Sequence, residues 1–343
     1  MWITSSLEAA QAPTHIALGN FDGVHLGHQQ VMAQILRGEL AEAINTNGSV
    51  DAIRTMPIDN RSVAALHTGI LTTGYSQLSD SSSKCERGGE VNYFGQSIPA
   101  GPPLPESGAY ATVVTFSPHP HEYFSGNARP LLTPVAEKAW QLARLGIHQL
   151  VMLPFNTALA ELSPKEFVED ILIRGLKAKR ISVGKDLHLG KGRSGNAQNL
   201  TEIAALHGVP VVQVALKHEA GDRISSSRIR EALQTGVLDT VTRLLGRPYL
   251  LIGRVVKGKQ LGRTIGFPTA NLQLPEKKYL PRTGVYSVRI YGVDDRAEPL
   301  RGVMNMGTRP TVEGRSLSVE VHVLDWTGNL YGKMLTVSLE KFI

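Results

Sequence analysis

A parallel α/β sheet followed by a smaller antiparallel β-barrel is the fold class that this sequence predicts. Three observations predict it. Short β-rich runs alternate with helical stretches through the first two thirds of the chain. After Leu244-Leu245-Gly246-Arg247-Pro248 the text changes to β-runs broken by Gly, Pro and Asn. The 343 residues leave room for two cores. The expected domains are residues 1–246 and 247–343.

Taken in order, the parallel strands are expected at Ile16-Ala17-Leu18, Thr112-Val113-Val114-Thr115-Phe116, Leu150-Val151-Met152-Leu153, Ile181-Ser182-Val183 and Val211-Val212-Gln213-Val214. Ser163-Pro164-Lys165-Glu166 opens a helix, with a capping serine, proline at the first helical position and glutamate three residues after the cap. Phe167, Val168, Ile171 and Leu172 then follow at helical spacing. From about residue 38 to 110 periodicity is lost and Gly, Pro, Ser and Asn dominate, which predicts a disordered insertion between the first helix and the second strand. The barrel strands are expected at Tyr249 to Val256, Val285 to Tyr291, Gly302 to Asn305, Leu317 to Leu324 and Leu335 to Leu339.

Composition is that of an ordinary globular chain, 42% hydrophobic and 19% charged, with a formal charge of +6 that favours anionic ligands. The single cysteine, Cys85, excludes an intramolecular disulfide framework and a cysteine-based zinc site. No leader pattern and no run of about 18 apolar residues occurs, so a cytoplasmic location without a membrane partner is expected. The charge alone does not choose between nucleotides and nucleic acid, but no block of basic residues like a nucleic-acid tail occurs, so no nucleic-acid partner is expected, and the oligomeric state is left open.

The most informative segment is Gly19-Asn20-Phe21-Asp22-Gly23-Val24-His25-Leu26-Gly27-His28, where a strand gives way to a helix. A turn of small residues followed by a helix N-terminus presents N–H groups and a positive dipole end to an anion. Two imidazoles one turn apart add donors for a phosphorus centre gaining charge, although the spacing alone also suits a metal pair. A second phosphate-facing segment is Arg223-Ile224-Ser225-Ser226-Ser227-Arg228-Ile229-Arg230. One serine is needed as a helix cap; the others, with the arginines, can donate to a polyphosphate. Gly190-Lys191-Gly192-Arg193-Ser194-Gly195 matches Gly-x-Gly-x-x-Gly but neither follows a strand directly nor opens an apolar helix, so it reads as a mobile loop.

These segments, with Thr115-Phe116-Ser117-Pro118-His119-Pro120, Leu153-Pro154-Phe155-Asn156 and Gly184-Lys185-Asp186, resemble the bacterial bifunctional riboflavin kinase/FMN adenylyltransferase family. Gly262 to Leu272, Gly284-Val285-Tyr286 and Val319-Glu320-Val321-His322 resemble its flavokinase module. The resemblance implies a Rossmann-like parallel-sheet nucleotidyltransferase domain followed by an antiparallel β-barrel flavokinase domain. It implies FAD biosynthesis, with riboflavin, FMN, FAD and ATP as substrates and products and Mg²⁺ as cofactor. His25 and His28 would stabilise charge on the α-phosphate of ATP. Gly19, Asn20, Phe21, Asp22, Gly27, Asp186, Arg223, Ser226, Ser227 and Arg228 would bind the nucleotide. Phe116, Pro118, His119, Phe155 and Asn156 would line the flavin side, where strand-end packing is an equally open reading. In the barrel, Gly266, Pro268, Thr269 and Asn271 would bind ATP, Thr269 and Asn271 would hold Mg²⁺, and Glu320 would act as general base on riboflavin.

Two departures from the family are visible. Leu187-His188-Leu189 stands where aromatic and basic residues are usual. The sequence ends at Glu340-Lys341-Phe342-Ile343, where the family continues with a helix over the barrel; a missing helix would impair the kinase and leave an adenylyltransferase alone. Two other readings compete, a tRNA-directed nucleotidyl transferase and a non-catalytic flavin or nucleotide binder. The Pro-Thr-Ala-Asn run at residues 268–271 argues against the first, and the joint presence of His25, His28, Ser226, Thr269, Asn271 and Glu320 against the second.

Overall fold

The computed structural model describes residues 1–36, 105, 108–257, 269–294, 298–311 and 314–343. The expected insertion at 38–110, apart from residues 105 and 108–110, and Gly266 and Pro268 of the barrel motif lie outside the described residues. Among the described residues, one compact unit holds 1–36, 105, 108–129 and 138–217, and a second holds 130–137 and those from 218 onward. The helices Ser226–Thr235 and Leu238–Leu245 therefore group with the barrel strands, whereas the sequence reading puts them before the boundary at 246.

In the first unit the strands are β1 (Trp2–Thr4), β2 (Thr14–Leu18), β3 (Tyr110–Ser117), β4 (Gln149–Pro154), β5 (Ala178–Gly184), β6 (His188–Leu189), β7 (Gly195–Asn196) and β8 (Val211–Val214). Six of them form a sheet in the order β1-β4-β3-β2-β5-β8, parallel throughout. Near-continuous apolar runs such as Ile16, Val114, Leu150, Val151, Ile181 and Val183 are buried, as strands covered on both faces require. The sheet grows from β2 toward β3, β4 and β1 on one side and toward β5 and β8 on the other. The carboxyl ends of β2 and β5 thus flank a topological switch point, where open α/β sheets bind ligands.

Three local features differ from the expectation. The helix capped by Ser163 runs as α-helix only over Pro164–Glu166 and continues as a π-helix over Phe167–Gly175, still burying Phe167, Val168 and Leu172 against the sheet. Residues 190–195 are an ordered segment: Lys191–Arg193 makes a 3₁₀ turn, β6 pairs antiparallel with β7, and Asn196 caps the helix Ala197–Ala205. That segment does open a helix, and its glycines serve packing, since a Cβ on Gly195 would lie 2.7 Å from Pro164 Cγ. The short edge strand β1 carries too few residues to register as a pattern.

In the second unit, β9 (His218–Glu219) and β10 (Asp222–Arg223) form a small hairpin. β11 (Tyr249–Val256), β12 (Ala270–Gln273), β13 (Gly284–Tyr291), β14 (Leu300–Thr311), β15 (Gly314–Val323) and β16 (Met334–Phe342) close a barrel in the order β11-β12-β15-β14-β13-β16. Closure leaves no unpaired edge. On β15, Val319, Val321 and Val323 are buried while Glu320 and His322 are half-buried, the alternation expected from the sequence. At Gly302 a Cβ would sit 2.6 Å from the carbonyl oxygen of His322, so only glycine lets β14 approach β15 there.

A buried ion pair joins Glu137 to Lys278 in this unit. The Lys278 ammonium also donates to the Leu132 carbonyl at 2.9 Å and lies 4.3 Å from the centroid of the Tyr249 ring. Burial pushes the Glu137 carboxyl up, against the pull of Lys278. Removing one partner strands the other charge in the interior. Glu137→Leu is therefore expected to cost about 3–5 kcal/mol, read as a lowered urea midpoint for the barrel transition; an unchanged midpoint would contradict this account.

Candidate active sites

β2 ends at Leu18, and the chain then turns through backbone that L-residues rarely adopt, with φ of 49° at Phe21, 91° at Gly23 and 46° at Val24. A β-branched residue in the left-handed region is strained and persists only where packing dictates it. The packing is present, since Phe21 and Val24 are 2% and 1% exposed. The turn delivers His25 as the N-cap of the helix Leu26–Ala33, with Gly27 in its first turn. His25 Nδ1 accepts the His28 backbone N–H at 3.3 Å, which in the neutral ring leaves Nε2 as the N–H donor. The two imidazoles stack with centroids 3.5 Å apart, and the Phe21 ring meets His28 edge-on at 5.2 Å.

Asn20, the second residue after β2, is held by its backbone carbonyl. That oxygen accepts from Thr115 Oγ1 at 3.2 Å and from Lys138 Nζ at 2.9 Å. Its side-chain Oδ1 is buried with no hydrogen-bond partner among the described residues. Gly19 lies close to Phe21, and Asp22 is buried within the turn.

The neighbouring strands end at the same edge of the sheet. Phe116 is the second-last residue of β3, and Pro118 and His119 follow the strand, His119 capping the helix Pro120–Ser125 by accepting the His121 N–H at 3.0 Å. Burial, then the positive charge of Arg129, lower the His119 pKa to about 4, with Asp22 opposing. After β4, Phe155 and Asn156 follow, and Asn156 Oδ1 caps the helix Thr157–Ala160, accepting from Leu159 N–H at 3.0 Å. Phe155 packs edge-on against Phe116, Tyr123 and Phe124 at 5.7, 5.3 and 5.8 Å. Phe124 is 70% exposed, an aromatic face open to a planar ligand. Sequence reasoning missed Tyr123 and Phe124; the signal was the capped helix start at His119-Pro120, which turns two consecutive aromatics back over the strand ends. After β5, Asp186 is exposed beside Gly184, where a Cβ would lie 2.8 Å from its Oδ1.

In the second unit, Ser225 Oγ caps the helix Ser226–Thr235 by accepting the Arg228 N–H at 3.3 Å, so one serine of three is the cap. Ser226 and Ser227 occupy the first turn, and Arg223 and Ser227 are exposed. The Arg228 guanidinium is engaged within its own unit, donating to the Glu219 and Asp222 carbonyls at 2.9 and 3.2 Å.

In the barrel, Thr269 Oγ1 donates to Glu320 Oε2 at 3.2 Å. The ladder places Asn271 on β12 and Asn305 on β14 opposite Glu320, one on each side. Thr269 also lines a cavity of about 640 Å³ with Val255, Val323, Trp326, Asn329 and Tyr331. Asn305 and the turn Trp326 to Tyr331 were not singled out from sequence, because strand pairing and turn position bring them to Thr269 and Glu320.

A switch-point turn carrying two histidines on a parallel sheet, and a separate barrel that sets a hydroxyl against a carboxylate, define a transferase built from two modules. Two family models match the chain: FAD synthetase over residues 7–47 and 105–228, and riboflavin kinase over 245–343. The chain belongs to the bifunctional riboflavin kinase/FMN adenylyltransferase family. The Escherichia coli (strain K12) member is 40% identical over 67% of this chain and 73% of its own length. The Bacillus subtilis (strain 168) member is 30% identical over 98% of this chain and 86% of its own length. A crystal structure described as a macrolide-efflux protein from Streptococcus pneumoniae shares the fold, with TM-score 0.69 and 23% identity over 99% of this chain and 90% of that one. Among the described residues no helix is long and apolar enough to cross a membrane.

The lowered pKa of His119 has a sign that can be tested. Below about pH 6.5 an unfolded histidine binds a proton that the folded one refuses until about pH 4. Stability therefore falls as pH drops through that window, and His119→Gln should flatten part of the slope in urea unfolding series. An unchanged slope would remove His119 as its source.

Proposed function

We propose that the two reactions of FAD biosynthesis are carried out on this chain by separate sets of residues. FMN adenylylation is assigned to the sheet's carboxyl edge and riboflavin phosphorylation to the barrel face around Glu320, with residues 1–246 and 247–343 as the functional modules. The observation that supports the first assignment most is the convergence of the ends of β2, β3, β4 and β5, with His25, His28, Phe116, His119, Phe155, Asn156 and Asp186, at one switch point.

In adenylyl transfer an oxygen of the FMN phosphate attacks the α-phosphorus of ATP, and the bond to the β-phosphate bridging oxygen breaks to release pyrophosphate. The attacking phosphate is already ionised, so no base is required; the protein aligns the phosphates and neutralises developing charge. His25 Nε2–H, the ring of His28 and the N–H groups of the helix Leu26–Ala33 supply donors for that charge. Asn20 Oδ1 and Asp22 would orient the nucleotide. The aromatic faces of Phe155 and Phe124 suit an isoalloxazine ring.

In the barrel, Glu320 would take the proton of the terminal ribityl hydroxyl as that oxygen attacks the γ-phosphorus of ATP and ADP leaves. The hydrogen bond from Thr269 supports this by fixing one carboxylate oxygen. The Thr269 hydroxyl and Asn271 amide oxygen are hard donors. That donor set fits a magnesium ion that arrives on nucleotide phosphates and takes few ligands from protein. When bound, Mg²⁺ supplies charge screening of the polyphosphate.

Purified protein incubated with Mg²⁺·ATP and riboflavin should yield FMN, and with FMN should yield FAD. His28→Ala should lower FAD formation by about 10²-fold or more and leave FMN formation unchanged, while Glu320→Gln should do the reverse. Equal loss of both activities in either variant would refute separate sites. No product with the unaltered protein would sink the enzymatic reading.

A further inference from the structure

Lys138 has no role in the reaction as set out above, yet its surroundings are those of a working group. Its side chain comes from the helix Val135–Arg144 and is buried, 8% exposed, among the residues of the strained turn. A lysine is rarely buried unless its charge is used, because desolvating an ammonium is costly. Its Nζ lies 2.9 Å from the Asn20 carbonyl. The same carbonyl receives Thr115 Oγ1 from β3 at 3.2 Å, so two donors from different elements converge on one backbone oxygen.

That oxygen occupies a decisive place. It belongs to the residue just before Phe21, where the backbone enters the left-handed region, and five residues before His25, which caps the helix. A peptide plane held from two sides cannot rotate, and the turn that follows inherits its direction. Among the described residues Asp22 attracts Lys138, and Lys138 and Arg129 both act on His119. Burial lowers the Lys138 pKa while Asp22 raises it, and His119 is itself held neutral above about pH 4. A neutral His119 adds no repulsion near physiological pH, which favours an ammonium that holds Asn20.

We infer that Lys138 is a positioning residue for adenylyl transfer, acting with Thr115 through the Asn20 carbonyl to hold the turn that aims His25 and His28 at the reacting phosphate. This deepens the proposed adenylylation site and rests on that reading. Lys138 does not touch substrate; it sets the placement of groups that do. A misplacement of such groups by about 1 Å is enough to cost two orders of magnitude in rate. Loss of positioning falls on kcat, whereas loss of a substrate contact falls on KM.

The test uses the whole chain with FMN formation from riboflavin as an internal control for a folded protein. Lys138→Met should lower kcat for FMN adenylylation roughly 100-fold with KM for FMN within about twofold of the unaltered value. Lys138→Arg, which keeps a buried donor, should recover at least tenfold of that loss. Thr115→Val, which removes the other donor without changing shape, should lower kcat severalfold, and its effect should shrink when combined with Lys138→Met because both act on one oxygen. If the methionine variant does not fold, the arginine and valine variants carry the test, through kcat reductions at unchanged KM. Adenylylation within threefold of normal in Lys138→Met, or losses in any variant that appear in KM alone, would overturn the inference. An unaltered protein that makes no FAD would instead overturn the reading on which it rests.

Discussion

The strained turn between β2 and its helix is the constraint on which the proposed adenylylation site depends. Phe21, Gly23 and Val24 hold left-handed backbone, a conformation that costs on the order of 1–3 kcal/mol for each non-glycine residue. Burial of Phe21 and Val24 and the two donors on the Asn20 carbonyl offset that cost. In return the chain reverses within a few residues and presents His25 at a helix N-terminus, at the edge where β3, β4 and β5 also end. A relaxed turn would place the imidazoles elsewhere, and the remaining groups would face an unfocused site.

The two proposed sites offer a nucleotide different chemistry. The sheet offers backbone N–H groups, imidazole donors and an aromatic face, which suit a reaction whose nucleophile is already charged. The barrel offers a hydroxyl, amides and a carboxylate, which suit a nucleophile that must lose a proton. Placing base chemistry only in the barrel follows from the substrates: riboflavin brings an alcohol, FMN brings a phosphate. Glu320 therefore has a proton to take in the proposed barrel site, whereas the proposed sheet site has only charge to neutralise.

Much of this was legible in the sequence, for identifiable reasons. Long apolar runs gave the inner parallel strands, and the alternation around Glu320 gave the exposed side of β15. A helix cap by one of the three serines was legible, and the structure assigns it to Ser225. What escaped depended on tertiary geometry. The Phe167–Gly175 segment keeps helical spacing in its buried residues, so its π-helical bonding leaves no mark in the pattern. Gly190 to Gly195 resembled a loop because strands of two residues carry no periodicity. Lys138 lies in an amphipathic helix where a lysine reads as a solvated charge; only the fold turns it toward Asn20. Tyr123 and Phe124 gain meaning only when β3 and β4 bring them to Phe155.

The central claim is that the turn after β2 receives the phosphates of ATP. It is tested most directly by following the imidazole ¹⁵N resonances of His25 and His28 while Mg²⁺ and an α,β-methylene analogue of ATP are titrated into the protein. The account predicts that both resonances shift with a common saturation curve, as Nε2–H donors engage a phosphate. Saturation of the analogue with both imidazoles unmoved would contradict it.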